Sequence, residues 1–174
     1  EVAANMIKDL GVEYTIIGHS ERRQYFGDTD EVIATKLAQC YANGLSPILC
    51  CGEKLEEREA GKHFEVIESQ LRNALKDVSA ENFKNTIVAY EPVWAIGTGK
   101  TATPDQAEEI HAFIRGLIAK LYDAKIADDT TILYGGSVNA GNAANLFAQP
   151  DIDGGLVGGA SLKANDFISI IKAI

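Results

Sequence analysis

One carboxylate ends the apolar stretch Ile87-Val88-Ala89-Tyr90-Glu91-Pro92-Val93-Trp94. Apolar and aromatic flanks disfavour the charged form of a carboxyl group and make it a stronger base than one in water. A structural ion pair is the plainer use of such a glutamate, and position alone leaves both readings open. A second candidate is His19, within Gly18-His19-Ser20-Glu21-Arg22. Ser20 suits a helix N-cap, which puts His19 just ahead of a helix N-terminus. The positive end of the helix dipole favours neutral imidazole there. A neutral imidazole still donates a hydrogen bond to a carbonyl oxygen. His63 and His111 fall in helical segments with no comparable context and are assigned to the surface or to packing.

The residues after Glu91 suggest a lid. Ala95-Ile96-Gly97-Thr98-Gly99-Lys100-Thr101-Ala102 starts apolar and ends small. Such a loop can close over a site and exclude water. It is longer than the ~2–6 residues usual between a strand and the next helix. Gly97 and Gly99 also let backbone N–H groups approach an anion. Two further glycine pairs, Tyr134-Gly135-Gly136-Ser137 and Gly158-Gly159-Ala160-Ser161, each follow an apolar run. Either pair alone is no more than a turn. Together with Gly97, in this order, they read as a cradle for phosphate, with helix N-termini adding positive dipole ends. Gly97-Thr98-Gly99 does not open a dinucleotide fingerprint, because position 102 is Ala102 where a third glycine is required.

These residues need elements to hold them. Five short apolar runs stand out, at residues 14–17, 47–51, 87–90, 131–134 and 155–157. None alternates cleanly with polar residues, as expected of strands covered on both faces in a parallel sheet. Helix-period segments lie between them. Thr103-Pro104-Asp105-Gln106 has the capping-box pattern with proline at the first helical position. It opens an amphipathic stretch bearing Ile110, Phe113, Ile114, Leu117, Ile118 and Leu121. Residues 28–31 start another helix, which Gly44 stops. Residues 1–10, 65–75 and 166–174 are also helix-like. Strands alternating with helices imply βαβ units and a parallel sheet, either doubly wound or closed as a (β/α) barrel. In a barrel the chemistry lies at the C-terminal strand ends, where Glu91, His19 and the glycine pairs fall.

Composition fits this reading. The chain has 174 residues, 46% of them hydrophobic, enough for a single domain over 1–174 with a substantial core. A net charge of -9 disfavours nucleic acid and anionic membranes as partners. The apolar runs are too short to span a bilayer. Cys40, Cys50 and Cys51 show neither disulfide-framework nor metal-ligand spacing, so they read as reduced core thiols in a cytoplasmic protein. Residue 1 is Glu and the sole methionine is Met6, so the sequence does not open on an ordinary translation start.

The segments GHSERR (18–23), ILCCGEKLEEREAG (48–61), AYEPVWAIGTGKTAT (89–103), YGGSV (134–138) and LVGGASL (156–162) resemble those of the triosephosphate isomerase family, in the family's order and from end to end of the chain. The resemblance implies a (β/α)8 TIM barrel without cofactor or metal. It also implies a homodimeric enzyme of glycolysis and gluconeogenesis that interconverts dihydroxyacetone phosphate and glyceraldehyde 3-phosphate through an enediolate. Carried over, Glu91 is the base and His19 the electrophile, a pairing for which this family is a standard illustration. Glu21 matches a buried family carboxylate near the catalytic cation. Gly97, Ser137, Gly158 and Gly159 match the backbone donors to the substrate phosphate.

The sequence also departs from the family. The family's catalytic lysine, on an N-x-K segment ending the first strand, has no counterpart. Asn5-Met6-Ile7-Lys8 lies in the opening helix, and Lys100 lies in the lid. A barrel needs eight strands and typically ~250 residues. The expectation is therefore a partial barrel of five βα units, the first three missing. Such a piece would self-associate or need the missing N-terminal part, and would be a weak isomerase alone. The alternative is a non-catalytic piece that keeps a phosphate-binding half-site.

Overall fold

The computed structural model describes residues 2–96 and 101–174. In chain order it contains α1 (Ala4–Asp9), β1 (Tyr14–Ile17), α2 (Ser20–Phe26), α3 (Asp30–Ala42), β2 (Ser46–Cys51), α4 (Leu55–Glu59), α5 (His63–Leu75), α6 (Ala80–Phe83), β3 (Ile87–Tyr90), α7 (Pro104–Leu121), α8 (Ala124–Asp129), β4 (Ile132–Tyr134), α9 (Ala143–Phe147) and α10 (Ala164–Ile171). Single 3-10 turns occupy Val93–Ala95 and Gly159–Leu162.

All four strands are parallel, in the sheet order β1-β2-β3-β4. A doubly wound sheet would reverse direction at a switch point. A sequential order with right-handed crossovers instead stacks every helix on one face. The packing agrees: α3 lies against β1 and β2, and α3, α5, α7 and α9 touch in succession. The register then sorts the side chains. Ile17, Leu49, Val88 and Ile132 align across the sheet, and so do Cys51, Tyr90 and Tyr134 one layer higher. All seven belong to the buried core. Burying an aliphatic side chain of this size contributes roughly 1.5–3 kcal/mol. The opposite face carries Ile16, Ile48 and Leu133, which are exposed or half-buried. One side of the sheet is thus a closed core, and the other is open at Ile16 and partly so at Ile48 and Leu133, although Cys50 and Ala89 on it are buried.

The expected parallel α/β architecture is present as an open arc of a barrel. The expected fifth strand is reduced to one parallel bridge, Tyr134↔Gly155. Tyr134 N–H bonds the Gly154 carbonyl at 2.9 Å, and Leu156 N–H bonds the Tyr134 carbonyl at 3.0 Å. Asp153 N–H also bonds the Ile132 carbonyl at 3.1 Å, but these contacts do not form a further named strand.

Helix ends mostly follow the sequence signals. Thr103 and Gln106 form the capping box that starts α7. The helix placed over 28–31 begins at Asp30, with Thr29 as its N-cap. Asp28 is buried instead, paired with Arg22 at 3.1 Å and Lys36 at 2.7 Å.

His111 is a packing residue and fully buried on α7. Its Nδ1 donates to the Asp151 carbonyl at 3.1 Å. Burial pushes its pKa down to about 4, from an ordinary value of 6.5. The unfolded chain therefore takes up this proton first as pH falls. His111 should cost stability progressively between about pH 6.5 and 4, by up to about 1.4 kcal/mol per pH unit. Glu91, whose folded pKa is raised, acts with the opposite sign. Urea midpoints at pH 7 and pH 4.5 isolate the effect by difference: His111→Asn should lose clearly less stability on acidification than the parent. Equal losses would remove His111 from the account.

Candidate active site

The C-terminal strand ends carry the candidate residues. β1 runs into Gly18 and His19, β3 into Glu91, and β4 into Gly135, Gly136 and Ser137. His19, rather than Ser20, is the N-cap of α2. Its extended backbone (φ −51°, ψ 141°) turns the imidazole back over the helix end, where Glu21 N–H donates to Nδ1 at 3.3 Å. Nδ1 therefore carries no proton, and Nε2 holds the ring hydrogen. Nε2 lies 3.2 Å from Glu91 Oε1. The other carboxylate oxygen, Oε2, accepts from Ser20 N–H at 3.1 Å.

Glu91 is 3% exposed. Burial raises its pKa above the ordinary carboxylate value. His19, the Ser20 N–H, the Cys50 thiol and Arg23 pull in the other direction. The net result is a carboxylate more basic than one in water. Gly135 is needed beside it: a Cβ there would come within 2.8 Å of Glu91 Cγ.

A cleft of about 460 Å³ opens over these groups, lined by His19, Glu91, Ile96, Gly135, Ser137, Gly158 and Gly159, among others. The Ser137 hydroxyl donates to the Ala95 carbonyl at 2.6 Å. Among the described residues, the backbone N–H groups of Ser137, Gly158 and Gly159 take no backbone partner. Neither lysine nor arginine lines this cleft among the described residues. A larger cleft of about 610 Å³, between α3 and residues 74–82, lies away from the strand ends.

The structure therefore brings His19, Glu91, Ser137, Gly158 and Gly159 to one cleft. Glu21 does not join them. It was expected to be buried, but it sits exposed on the first turn of α2, with only its backbone N–H engaged at His19. Gly97, and the lid residues up to Lys100, lie outside the described residues. Among the described residues no group of three or more His, Cys, Asp and Glu side chains is arranged to hold a metal ion. No described helix is long and apolar enough to cross a membrane.

Three contributors escaped the sequence reading. Ser20 acts through its N–H, which no side-chain pattern encodes. Cys50 reads as a core thiol until the β2–β3 register sets it beside Ala89, two residues before Glu91 and on the same face of the sheet. Glu53 had a usable signal, because it follows β2 much as Glu91 follows β3. It is fully buried and accepts from Tyr90 Oη at 3.1 Å and Trp94 Nε1 at 2.9 Å, which anchors the start of the lid.

Comparison with known proteins bears on this geometry. The family model described as triosephosphate isomerase matches residues 1–174. A triosephosphate isomerase of Chloroherpeton thalassium is 54% identical over 173 residues, which cover 99% of this chain and 69% of the relative. Those of Bacteroides fragilis and Xanthomonas campestris are 58% and 57% identical, each over 99% of this chain and 68% of the relative. A parallel α/β arc, strand-end chemistry and matches of this extent have one reading: the chain belongs to the triosephosphate isomerase family.

Proposed function

We propose that the cleft binds a triose phosphate, and that Glu91 moves a proton between its two reacting carbons while His19 polarises the carbonyl. The observation that carries this reading is the His19–Glu91 pair, a basic carboxylate 3.2 Å from a protonated ring nitrogen at the cleft. Glu91 removes a proton from the carbon beside the carbonyl. Electrons flow into an enediolate, whose oxygen receives a hydrogen bond from His19 Nε2–H. The hydroxyl proton passes to the former carbonyl oxygen by way of His19 Nε2, and the same carboxyl group returns the carbon-bound proton to the neighbouring carbon. Both oxygens of Glu91 are occupied in the structure described, so one must leave His19 or Ser20 for the substrate. The N–H groups of Ser137, Gly158 and Gly159 suit the phosphate, and Gly97 completes the set. Glu21, being exposed, is assigned a supporting surface role only. The reaction needs no cofactor. It belongs to glycolysis and gluconeogenesis, and three buried free thiols support a reducing cytoplasm.

This chain alone should be a poor catalyst. Its described cleft offers a dianionic substrate no lysine or arginine. Removing one electrostatic stabiliser of a transition state costs ~10²–10³ in rate. A coupled assay tests both statements. The 174-residue chain should turn over at least ~10²-fold faster when mixed with a polypeptide supplying the first three βα units of a relative. Glu91→Gln should abolish that gain, since a positioned base contributes ~10²–10⁴. Near-normal turnover by the chain alone would overturn the first claim, and an active E91Q the second.

We further propose that residues 1–174 form one incomplete barrel domain that associates through its open sides. Tyr14 and Ile16 are exposed on the edge strand β1. Leu162, Ile168, Ile171 and Ile174 are exposed at the other end. Unpaired parallel edges with apolar flanks invite pairing with another chain. Full-length family members are homodimers, whereas this chain should form larger, concentration-dependent species. Sedimentation velocity across a hundredfold concentration range should show them. A single cooperative monomer throughout would sink the proposal.

A further inference from the structure

Arg23 lies one turn into α2, four residues after His19, and does not line the cleft. Its Nε donates to the Gly18 carbonyl at 3.0 Å. Its Nη1 pairs with Asp30 Oδ1 on α3 at 2.7 Å, and Asn73 on α5 donates to the other oxygen of Asp30 at 3.2 Å. The third nitrogen, Nη2, is buried and takes no hydrogen-bond partner among the described residues. Gly18 lies against it. With φ +80°, Gly18 is in the left-handed region, and a Cβ there would meet the Cys50 carbonyl at 3.0 Å and Arg23 Nη2 at 3.5 Å.

An arginine that only tied α2 to α3 could do so through Asp30 with its outer nitrogens in water. Here the guanidinium is turned inward instead, under the turn that presents His19. We propose that Arg23 is a positioning residue of the isomerase site, locking the Gly18–His19 turn and supplying a buried positive charge close enough to act on the Glu91 carboxylate. The proposal rests on the reading of Glu91 as the base. The Gly18 contacts set the guanidinium beside the Cys50 carbonyl at the end of β2, and from there its charge favours the ionised form of Glu91. The other groups facing Glu91 are His19 and the Ser20 N–H from α2, and Cys50 from β2. Of these, only His19 could carry a positive charge, and its Nδ1 is committed as an acceptor. Among the described groups that act on this carboxylate, Arg23 is therefore a permanent cation.

The test needs no turnover, so an inactive chain leaves it intact and the two proposals fail separately. In the 174-residue chain, carbon-13 NMR of the Glu91 side-chain carboxyl, assigned with Glu91→Gln, follows its titration. Nitrogen-15 shifts of the His19 ring report its tautomer. Arg23→Met should raise the Glu91 midpoint by about one pH unit, since an opposite charge nearby lowers a carboxyl pKa by 1–3 units. It should also blur the single His19 tautomer. Arg23→Lys keeps the charge but cannot bond Gly18 and Asp30 together, so it should leave the midpoint low while the tautomer is lost. A folded R23M with the parent's Glu91 midpoint and His19 signals overturns the proposal. If R23M does not fold, R23K decides alone: a retained His19 tautomer, or a Glu91 midpoint raised as far as loss of charge predicts, overturns it equally.

Discussion

The approach of His19 to Glu91 joins the ends of two strands that are not neighbours. β1 and β3 are separated by β2, which puts their axes about 10 Å apart at the usual ~4.8 Å spacing. An imidazole and a glutamate side chain can close that gap only if both rise from the same face at the same height. The β1–β2 and β2–β3 registers are therefore part of the chemistry. A slip of one residue in β3 would turn Glu91 to the helix side, against Tyr134 and the aliphatic core, and Tyr90 to the open face. The layer of Ile17, Leu49, Val88 and Ile132 opposes such a slip, because it would take Val88 out of the layer and put its side chain on the open face. Core packing on one side of the sheet thus fixes the site on the other.

That division explains what the sequence could and could not disclose. Apolar runs reveal strands because burial demands them, and the Thr103–Gln106 box reveals the start of α7 because capping chemistry is local. Glu91 and His19 were legible for the same reason, each standing where an apolar run stops. Register is not local. Cys50 beside Glu91, and the Ser20 N–H on its carboxylate, arise from pairing between segments 71 residues apart in the second case. Short helices such as α6 and α9, of four and five residues, are too brief to show a period. The run at 155–157 has strand composition, but composition cannot say whether a partner strand lies alongside. Glu21 was placed by resemblance alone, and its burial depends on what covers α2 rather than on its own neighbours in sequence.

The closed and open faces also separate stability from function. Helices α3, α5 and α7 complete their own core with β1 to β4, and His111, Phe83 and Tyr122 pack there without reference to the cleft. The cleft side has no such closure. The chain spans 68–69% of the relatives it matches, and His19 and Glu91 line the cleft on this side. A well-packed outer layer can hold Glu91 and His19 in geometry even where the inner face is incomplete.

Geometry, however, does not supply charge. The chain carries a net charge of -9, and a triose phosphate is itself an anion, so long-range steering opposes binding. On the proposed reading, what attracts the ligand must be short-ranged: N–H groups at Ser137, Gly158 and Gly159, and the His19 imidazole. Such dipoles fall off faster with distance than a full charge does, and they act strongly only in a site that excludes water. Glu91 is already desolvated, which strengthens it as a base and also as a repeller of a second anion. Arg23 moderates that repulsion from below, but its hydrogen bonds to Gly18 and Asp30 keep it out of the cleft. Base strength and substrate affinity therefore pull against each other here, and only a cation on the cleft side of Glu91 can satisfy both.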